Sequence, residues 1–377
     1  MSAPPSSPSR MPAALALARS GLGTTGTNPS VGCVIEKDGR VLGRGRTAAG
    51  GRPHAETEAL AQAARRHGPE ACRGGTAWVT LEPCAHRGRT PPCTDALVAA
   101  GIARVVAPFE DPDPRVSGKG FAALRAAGVA VETGAMAAEA ASLLRGYLSR
   151  AERGRPWLTL KLAAGLDGRI AAPSGESRWI TGPASRRRVH LMRARADAVL
   201  VGIGSVLADD PSLDVRLEGL EGRRAWRVVA DGRLQTPLTG RLARSAAEHP
   251  TLLLTRDDAP PERAAAFADC GVRVLALPAD AEGRVPLRAA LEALAGEGIG
   301  EVLCEGGGRL AAGLLREGLV DELAWFSAGL VTGGRGAASV ADLGIEALAE
   351  APRFERVSVE PVGEDVLSLW RPAPSPE

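Results

Sequence analysis

The feature that most constrains this chain is a regular alternation of short apolar runs with Ala-rich helical runs. It stops once, at Glu152-Arg153-Gly154-Arg155-Pro156, and then begins again. Strands alternating with helices imply a largely parallel sheet covered by helices. A charged Gly/Pro segment between two such series reads as a domain boundary. The first series predicts helices over 11–21, 56–66, 95–100, 121–127 and 137–150, and strands over 77–81, 105–107 and 129–132. Residues 31–35 and 41–42 flank Lys37-Asp38-Gly39, whose Asp-Gly pair signals a hairpin. The second series predicts strands over 157–162, 198–201, 227–230, 251–255, 272–276 and 301–304, helices over 186–195 and 309–316, and further strands after Glu322. At ~150 residues per domain, 377 residues fit two domains. The expected layout is a disordered Pro/Ser tail over 1–10, an α/β domain over 11–150, a linker over 151–156 and a second α/β domain over 157–377.

Composition narrows the function. Lys and Arg total 46 and Asp and Glu 44, a formal net charge of +2, which gives no basic surplus for nucleic acid. Aromatic residues are 3% of the chain, too few for a stacking platform on single strands. No apolar run approaches the ~18 residues of a membrane span. The opening MSAPPSSPSR lacks the charged and apolar regions of a secretory signal, so a cytoplasmic location is expected. Six cysteines do not make a disulfide scaffold at this length. In a reducing compartment, clustered cysteines are more often metal ligands or catalytic groups.

Three pieces of the first series carry chemistry: His54-Ala55-Glu56, Pro83-Cys84 and Cys93. An imidazole with two thiolates is a donor set for zinc, and three protein ligands leave the fourth tetrahedral position to water. Zinc lowers the pKa of such a water to ~7. A nearby acid/base group must then move the proton, and Glu56 is placed for this. Taken singly, each piece has a bland reading, as a chance His-x-Glu or as cysteines buried for packing. Together they each stand at the start of a helix, as in zinc deaminases, whose signature is His-x-Glu followed by Pro-Cys-x-x-Cys. Here eight residues separate the two cysteines.

The runs TNPSVGCVI, HAE and LEPCAHRGRTPPC resemble the bifunctional riboflavin-biosynthesis deaminase/reductase family, in which the long cysteine loop is itself distinctive. The resemblance runs from about Met11 to Arg371. It implies an N-terminal cytidine-deaminase-like α/β/α sandwich followed by a C-terminal dihydrofolate-reductase-like α/β domain. It also implies Zn2+ on His54, Cys84 and Cys93, with Glu56 as the proton shuttle. The implied substrate is a small-molecule phosphoribosylamino-pyrimidine. It loses an amino group to water, and NADPH then reduces its ribosyl side chain to ribityl. His86, Arg87 and Arg89 of the cysteine loop are placed to meet a phosphate, or else form a solvated loop; Asn28 is placed to meet the ribose or pyrimidine. Thr27 stands where the family usually has Pro.

The second series has no Gly-x-Gly-x-x-Gly opening a helix after its first strand, so the ordinary dinucleotide fingerprint is absent. It has two other Gly-rich segments after strands, 201–205 and 305–308, where backbone can approach a pyrophosphate at a helix N-terminus. Such turns are common as bare patterns, and Arg186-Arg187-Arg188 reads as a solvated helix face. The runs KLAAGLDGRIA, SGESRWITG, VGIGSVLADDP and EGGGRLAAGLL nevertheless resemble the reductase half of the same family. The resemblance implies cofactor contacts from Ala163, Trp179, Ser205, Asp209, Gly232, Gly307, Gly308, Arg309, Leu310, Ala311, Ala312 and Gly313. It implies substrate contacts from Ser177, Arg193, Leu213, Arg216 and Glu305. Guanidinium groups hold phosphate bidentately, which suits Arg193 and Arg216. Arg256 is one choice for the 2′-phosphate of NADPH, against a plain surface arginine, and Glu305 is a proton donor by position only.

The family commonly has Ser at Gly165 and Pro at Gly329, and both replacements are expected to loosen the backbone. They leave open a second reading, a zinc deaminase whose C-terminal domain binds or dimerises without transferring hydride. A third reading, base editing on RNA, is disfavoured by the near-neutral charge and the wide cysteine loop. The family's reductase halves suggest a homodimer.

Overall fold

A computed structural model describes residues 9–87 and 91–374, and these form two compact units that divide between Gly154 and Arg155. Residues 1–8 of the expected tail, and Arg89, lie outside the described residues. Among the described residues no helix is long and apolar enough to cross a membrane.

The first unit runs α1 (Met11–Gly21), β1 (Gly32–Lys37), β2 (Arg40–Arg46), α2 (Ala55–His67), β3 (Thr76–Val79), α3 (Cys93–Ala99), β4 (Arg104–Val106), α4 (Lys119–Ala126), β5 (Ala130–Glu132), α5 (Ala137–Leu143) and α6 (Arg145–Arg153). Its sheet has the order β2-β1-β3-β4-β5. The sheet is largely parallel with one reversed strand, β1, as the strand–helix alternation and the Asp-Gly hairpin signal together imply. Strands β3, β4 and β5 are parallel, but β1 is antiparallel to both neighbours. The cause is local: Asp38 and Gly39 have φ of 51° and 77° and reverse the chain in two residues, so that Lys37 pairs with Arg40. The helix expected over 137–150 is broken at Leu144, a buried core residue.

Small residues bring this unit's layers close. A Cβ at Gly32, Gly43 or Gly45 would collide with the carbonyl oxygens of Ala14, Ala59 and Ala55 respectively. The hairpin therefore meets α1 and α2 backbone to backbone. That contact sets the height of the first turn of α2 over the sheet.

The second unit runs β6 (Trp157–Gly165), β7 (Arg169–Ala171), α7 (Pro183–Arg195), β8 (Ala198–Gly202), α8 (Ile203–Asp209), β9 (Trp226–Ala230), α9 (Arg241–Arg244), β10 (Thr251–Arg256), α10 (Pro261–Asp269), β11 (Arg273–Leu277), α11 (Leu287–Gly296), β12 (Glu301–Cys304), α12 (Gly308–Arg316), β13 (Glu322–Ala328), β14 (Ala337–Ala338), β15 (Phe354–Val362) and β16 (Asp365–Pro372). Its main sheet has the order β11-β10-β9-β8-β12-β6-β13-β16-β15. The strands from β11 to β13 are mutually parallel, and β16 and β15 close the far edge antiparallel.

Two arginines fix this unit from inside. Residues 151–153 finish α6, and the next unit begins on Arg155, which is buried and donates to Asp321 at 2.7 and 2.8 Å. Asp321 also accepts the Leu158 N–H at 2.8 Å, which pins the start of β6. Arg227 is 1% exposed and donates to the hydroxyls of Thr251 and Ser245 and to the carbonyls of Ser212, Leu242 and His249. Gly165 is not a loosened position: a Cβ there would stand 2.7 Å from the Leu330 carbonyl oxygen, so glycine fits a close approach between β6 and the chain after β13.

Candidate functional site

In the first unit, His54 caps α2 in extended backbone, with φ −73° and ψ 159°. Glu56 follows in the first helical turn and is 4% exposed. Cys84 lies in the loop after β3, and Cys93 is the first residue of α3. The fold brings these distant positions together. His54 Nδ1 is 3.6 Å from Cys84 Sγ and 3.3 Å from Cys93 Sγ, and the Cys93 N–H donates to Cys84 Sγ at 3.4 Å. The three ligand atoms lie within 4.8 Å of one another.

The electrostatics suit a metal. The Cys93 thiol, and then His54, hold the Cys84 thiol down at about 4 against its burial. Cys93 is pushed well up by sharing a proton with Cys84 and by burial. The hydrogen bond to Cys84 raises His54. Burial, and then the charge on Cys84, raises Glu56. One imidazole and two sulfurs converging on one point fit zinc, and three protein ligands are the count of a catalytic site.

The cysteine loop is held from below. Buried Glu82 accepts the backbone N–H groups of Asp111 at 2.9 Å, Gly118 at 3.0 Å and Phe121 at 2.9 Å. Gly120 passes beneath the same loop, where a Cβ would collide with the Pro83 carbonyl oxygen. Together these set the place of Cys84.

A pocket of 480 Å³ includes His54, Glu56 and Cys84 in its wall. Asn28 and His86 also line it, whereas Arg87 is exposed and does not. Sequence pattern does not single out Asp111, Arg115, Tyr147 and Arg150, which complete the wall. The Tyr147 hydroxyl donates to Asp111 Oδ1 at 2.7 Å, and burial pushes the Asp111 carboxyl up. A signal existed, since Tyr147 is the one tyrosine in the chain.

The second unit holds a cleft of 1890 Å³. Most of the expected contacts line it: Ala163, Ser177, Trp179, Arg193, Ser205, Asp209, Arg216, Gly232, Glu305, Gly307, Gly308, Arg309, Leu310 and Gly313. Leu213, Ala311 and Ala312 do not; they are buried in the core at 5%, 0% and 2% exposure. Trp179 is 66% exposed, with the Arg186 guanidinium 4.4 Å from its ring centroid. Gly306 and Gly307 have φ of 93° and 102°, open to glycine, and leave bare backbone at the start of α12. Ser205 Oγ lies 3.3 Å from where a Gly307 Cβ would be. Glycine backbone at a helix start beside a hydroxyl fits a pyrophosphate.

Arg193 departs from its expected use. Its guanidinium donates to Glu305 at 2.5 and 2.8 Å and to the Asp214 carbonyl at 2.8 Å. The fork that would grip a phosphate is already spent on a carboxylate. Arg216 is the more available cation, 63% exposed and 3.4 Å from Asp214. Lys161, on β6, also lines the cleft close to Glu305. Burial pulls its ammonium pKa down.

Known proteins match both halves. A family profile described as the cytidine and deoxycytidylate deaminase zinc-binding region matches residues 7–108, and one described as the RibD C-terminal domain matches residues 156–368. The riboflavin biosynthesis protein RibD of Escherichia coli is 42% identical over 369 residues, covering 94% of this chain and 96% of its own length. The Aquifex aeolicus RibD is 39% identical, covering 96% and 97%. Among solved structures, Acinetobacter baumannii RibD superposes with a TM-score of 0.86 at 40% identity, covering 97% of this chain and 98% of that one. The deaminase/reductase of Thermotoga maritima does so with a TM-score of 0.83 at 34% identity, covering 96% and 97%. With relatives this similar along nearly its whole length, a convergent His/Cys/Cys centre in one unit and a dinucleotide-sized cleft in the other, the chain belongs to the RibD family of bifunctional, zinc- and NADPH-using deaminase/reductases of riboflavin biosynthesis.

Proposed function

We propose that residues 11–150 deaminate 2,5-diamino-6-(5-phosphoribosylamino)pyrimidin-4-one and that residues 157–377 reduce the ribosyl side chain of the product to ribityl. The observation that carries the reading is the convergence of His54, Cys84 and Cys93 on one point in a pocket that also contains Glu56. In this reading those three residues hold Zn2+, which when bound supplies a Lewis acid that lowers the pKa of water. Glu56 is free to move protons because it is not a ligand. It accepts one from the attacking water and passes it to the ring nitrogen; it then takes the proton of the hydroxyl now on the ring carbon and passes it to the amino group, which leaves as ammonia as the carbonyl forms. Its burial in the first turn of α2, two residues after His54, places it to do so. The pocket wall formed by Asp111, Arg115, Tyr147 and Arg150 lies beyond residue 108, outside the region matched to zinc deaminases in general. We assign that wall to recognition of the phosphoribosyl-bearing substrate.

In the reductase half, NADPH supplies the hydride when bound. Gly306, Gly307, Gly308 and Ser205 would hold its pyrophosphate, and Ala163 and Trp179, in the same cleft wall, would contact the cofactor. Arg216 receives the substrate phosphate. Arg193 holds Glu305 in place instead of gripping phosphate itself. Lys161, a half-buried cation beside Glu305, supplies the proton as the ribose ring opens to the imine that is reduced. A homodimer formed through this half and a cytoplasmic location complete the proposal. The test supplies the diamino substrate to purified protein and follows ammonia release, then NADPH absorbance, with metal content and oligomeric state measured on the same sample. Ammonia release without NADPH oxidation would favour a C-terminal domain that only binds.

A further inference from the structure

We infer that Arg233, with Arg256 behind it, reads the 2′-phosphate of NADPH and sets the preference for NADPH over NADH; this rests on the cofactor cleft proposed above. Strand order gives the direction in which the cofactor must lie. Across parallel strands a ligand lies over the carboxyl ends. Those ends follow one another in space as β6, β12, β8, β9 and β10. Lys161 and Ala163 belong to β6 and Glu305 follows β12, so the reacting groups gather at that side. The bare backbone of Gly306–Gly308 and the Ser205 hydroxyl stand at the step between β12 and β8. With the pyrophosphate there and the nicotinamide toward β6, the adenosine half extends over β9 to β10. At ~4.8 Å per strand, that is roughly 10–14 Å from β12.

Gly232 and Arg233 follow β9, Arg256 ends β10, and all three line the cleft. A Cβ at Gly232 would stand 3.4 Å from Arg256 Cγ and 3.3 Å from Val285, so glycine leaves a floor against which Arg256 packs. The Arg256 side chain is 16% exposed, donates to the Gly283 carbonyl at 2.8 Å, and pairs at 2.9 Å with Asp258, itself 61% exposed. Its position is thus fixed from behind. Arg233 is exposed, and among the described residues it has no hydrogen bond or ion pair. Two further arginines lining the same cleft are engaged: Arg284 with Asp280 and Glu282, and Arg288 with the Glu317 carbonyl. A phosphate at this end of the cleft meets one uncommitted guanidinium at the rim, Arg233, and beneath it the charge of Arg256, which Asp258 and Gly283 hold in place as a supporting cation. Guanidinium groups bind phosphate through paired, charge-assisted hydrogen bonds. The 2′-hydroxyl of NADH offers them no charge.

The experiment is calorimetric titration of the full zinc-loaded chain with NADPH, NADH and 2′,5′-ADP. R233A is expected to weaken NADPH and 2′,5′-ADP by about tenfold to a hundredfold, the range for a lost hydrogen bond to a charged group, and to leave NADH unchanged. R256A should act in the same direction. R309A, at the start of α12 in the cleft wall, should weaken both dinucleotides alike, because it lies beside the glycines to which the pyrophosphate is assigned. Equal losses for NADPH and NADH in R233A, no loss at all, or a wild type without preference would each overturn the inference. A wild type that binds neither dinucleotide would instead overturn the reductase reading on which it rests.

Discussion

Removing the Arg193 side chain tests the interior of the reductase cleft most sharply. Arg193 and Glu305 are 11% and 10% exposed in their side chains, and Arg193 makes three hydrogen bonds there. Taking one partner from a buried pair leaves the other charge uncompensated, at a cost of about 3–5 kcal/mol. For a unit of this size each kcal/mol moves the melting temperature by about 2–4 °C, so Arg193→Ala should lower the second unit's transition by about 6–20 °C. The double variant Arg193→Ala/Glu305→Ala should recover part of that loss, since it removes the orphaned carboxylate. Deamination should be unaffected below the new transition.

The pH dependence follows from the same pair. Burial pushes the Glu305 carboxyl up, but Arg193 outweighs it and holds the group below its ordinary value. A depressed carboxyl contributes stability above its unfolded pKa and loses it as pH falls through the folded pKa. With Arg193 gone, Lys161 and His190 are left to offset burial, so the carboxyl rises. The stability gap between wild type and Arg193→Ala should therefore narrow on acidification through the carboxylate range. Calorimetry of the zinc-loaded chain across that range measures it. An unmoved transition at neutral pH, or a gap that widens in acid, would refute the reasoning.

Three further outcomes are expected. Glu56→Gln should cut deamination by ~10²–10⁴-fold, the usual share of a positioned acid/base group, while zinc content stays at the wild-type level; metal loss would show that Glu56 is a ligand. Chelation of the metal should stop ammonia release but leave NADPH oxidation with the deaminated substrate intact, and a parallel loss of both would tie the two activities to one site. Gly120→Ala forces a collision with the Pro83 carbonyl oxygen and displaces Cys84, so zinc content and deamination should fall together. Full zinc occupancy in that variant would show that the loop has other room.

The parts legible in the sequence are those set by local chemistry. The Asp38-Gly39 turn, the helix starts at His54 and Cys93, and the Gly-rich start of α12 each announce themselves within a few residues. What was not legible depends on distant contacts. Strand order in the first unit turns on where β1 inserts, between β2 and β3. The wall of the deaminase pocket needs Tyr147 on α6 to meet Asp111, 36 residues earlier. Arg193 looked like a phosphate ligand until the fold brought Glu305, 112 residues away, against it. Ala311 and Ala312 share the sequence of a cofactor-binding turn, yet the helical period turns both into the core.

The buried guanidinium of Arg227 has a dynamic consequence. Its charge is tolerable there only while five separate chain positions, from Ser212 to Thr251, surround it at once. Peeling any one of them away exposes an unsolvated cation to a broken cage, so none has a cheap independent opening. Amide protons from the loop before Leu213 through α9 to the start of β10 should thus exchange with solvent together, as a single cooperative unit. This stretch, much of it loop, would then be among the slowest parts of the unit to open.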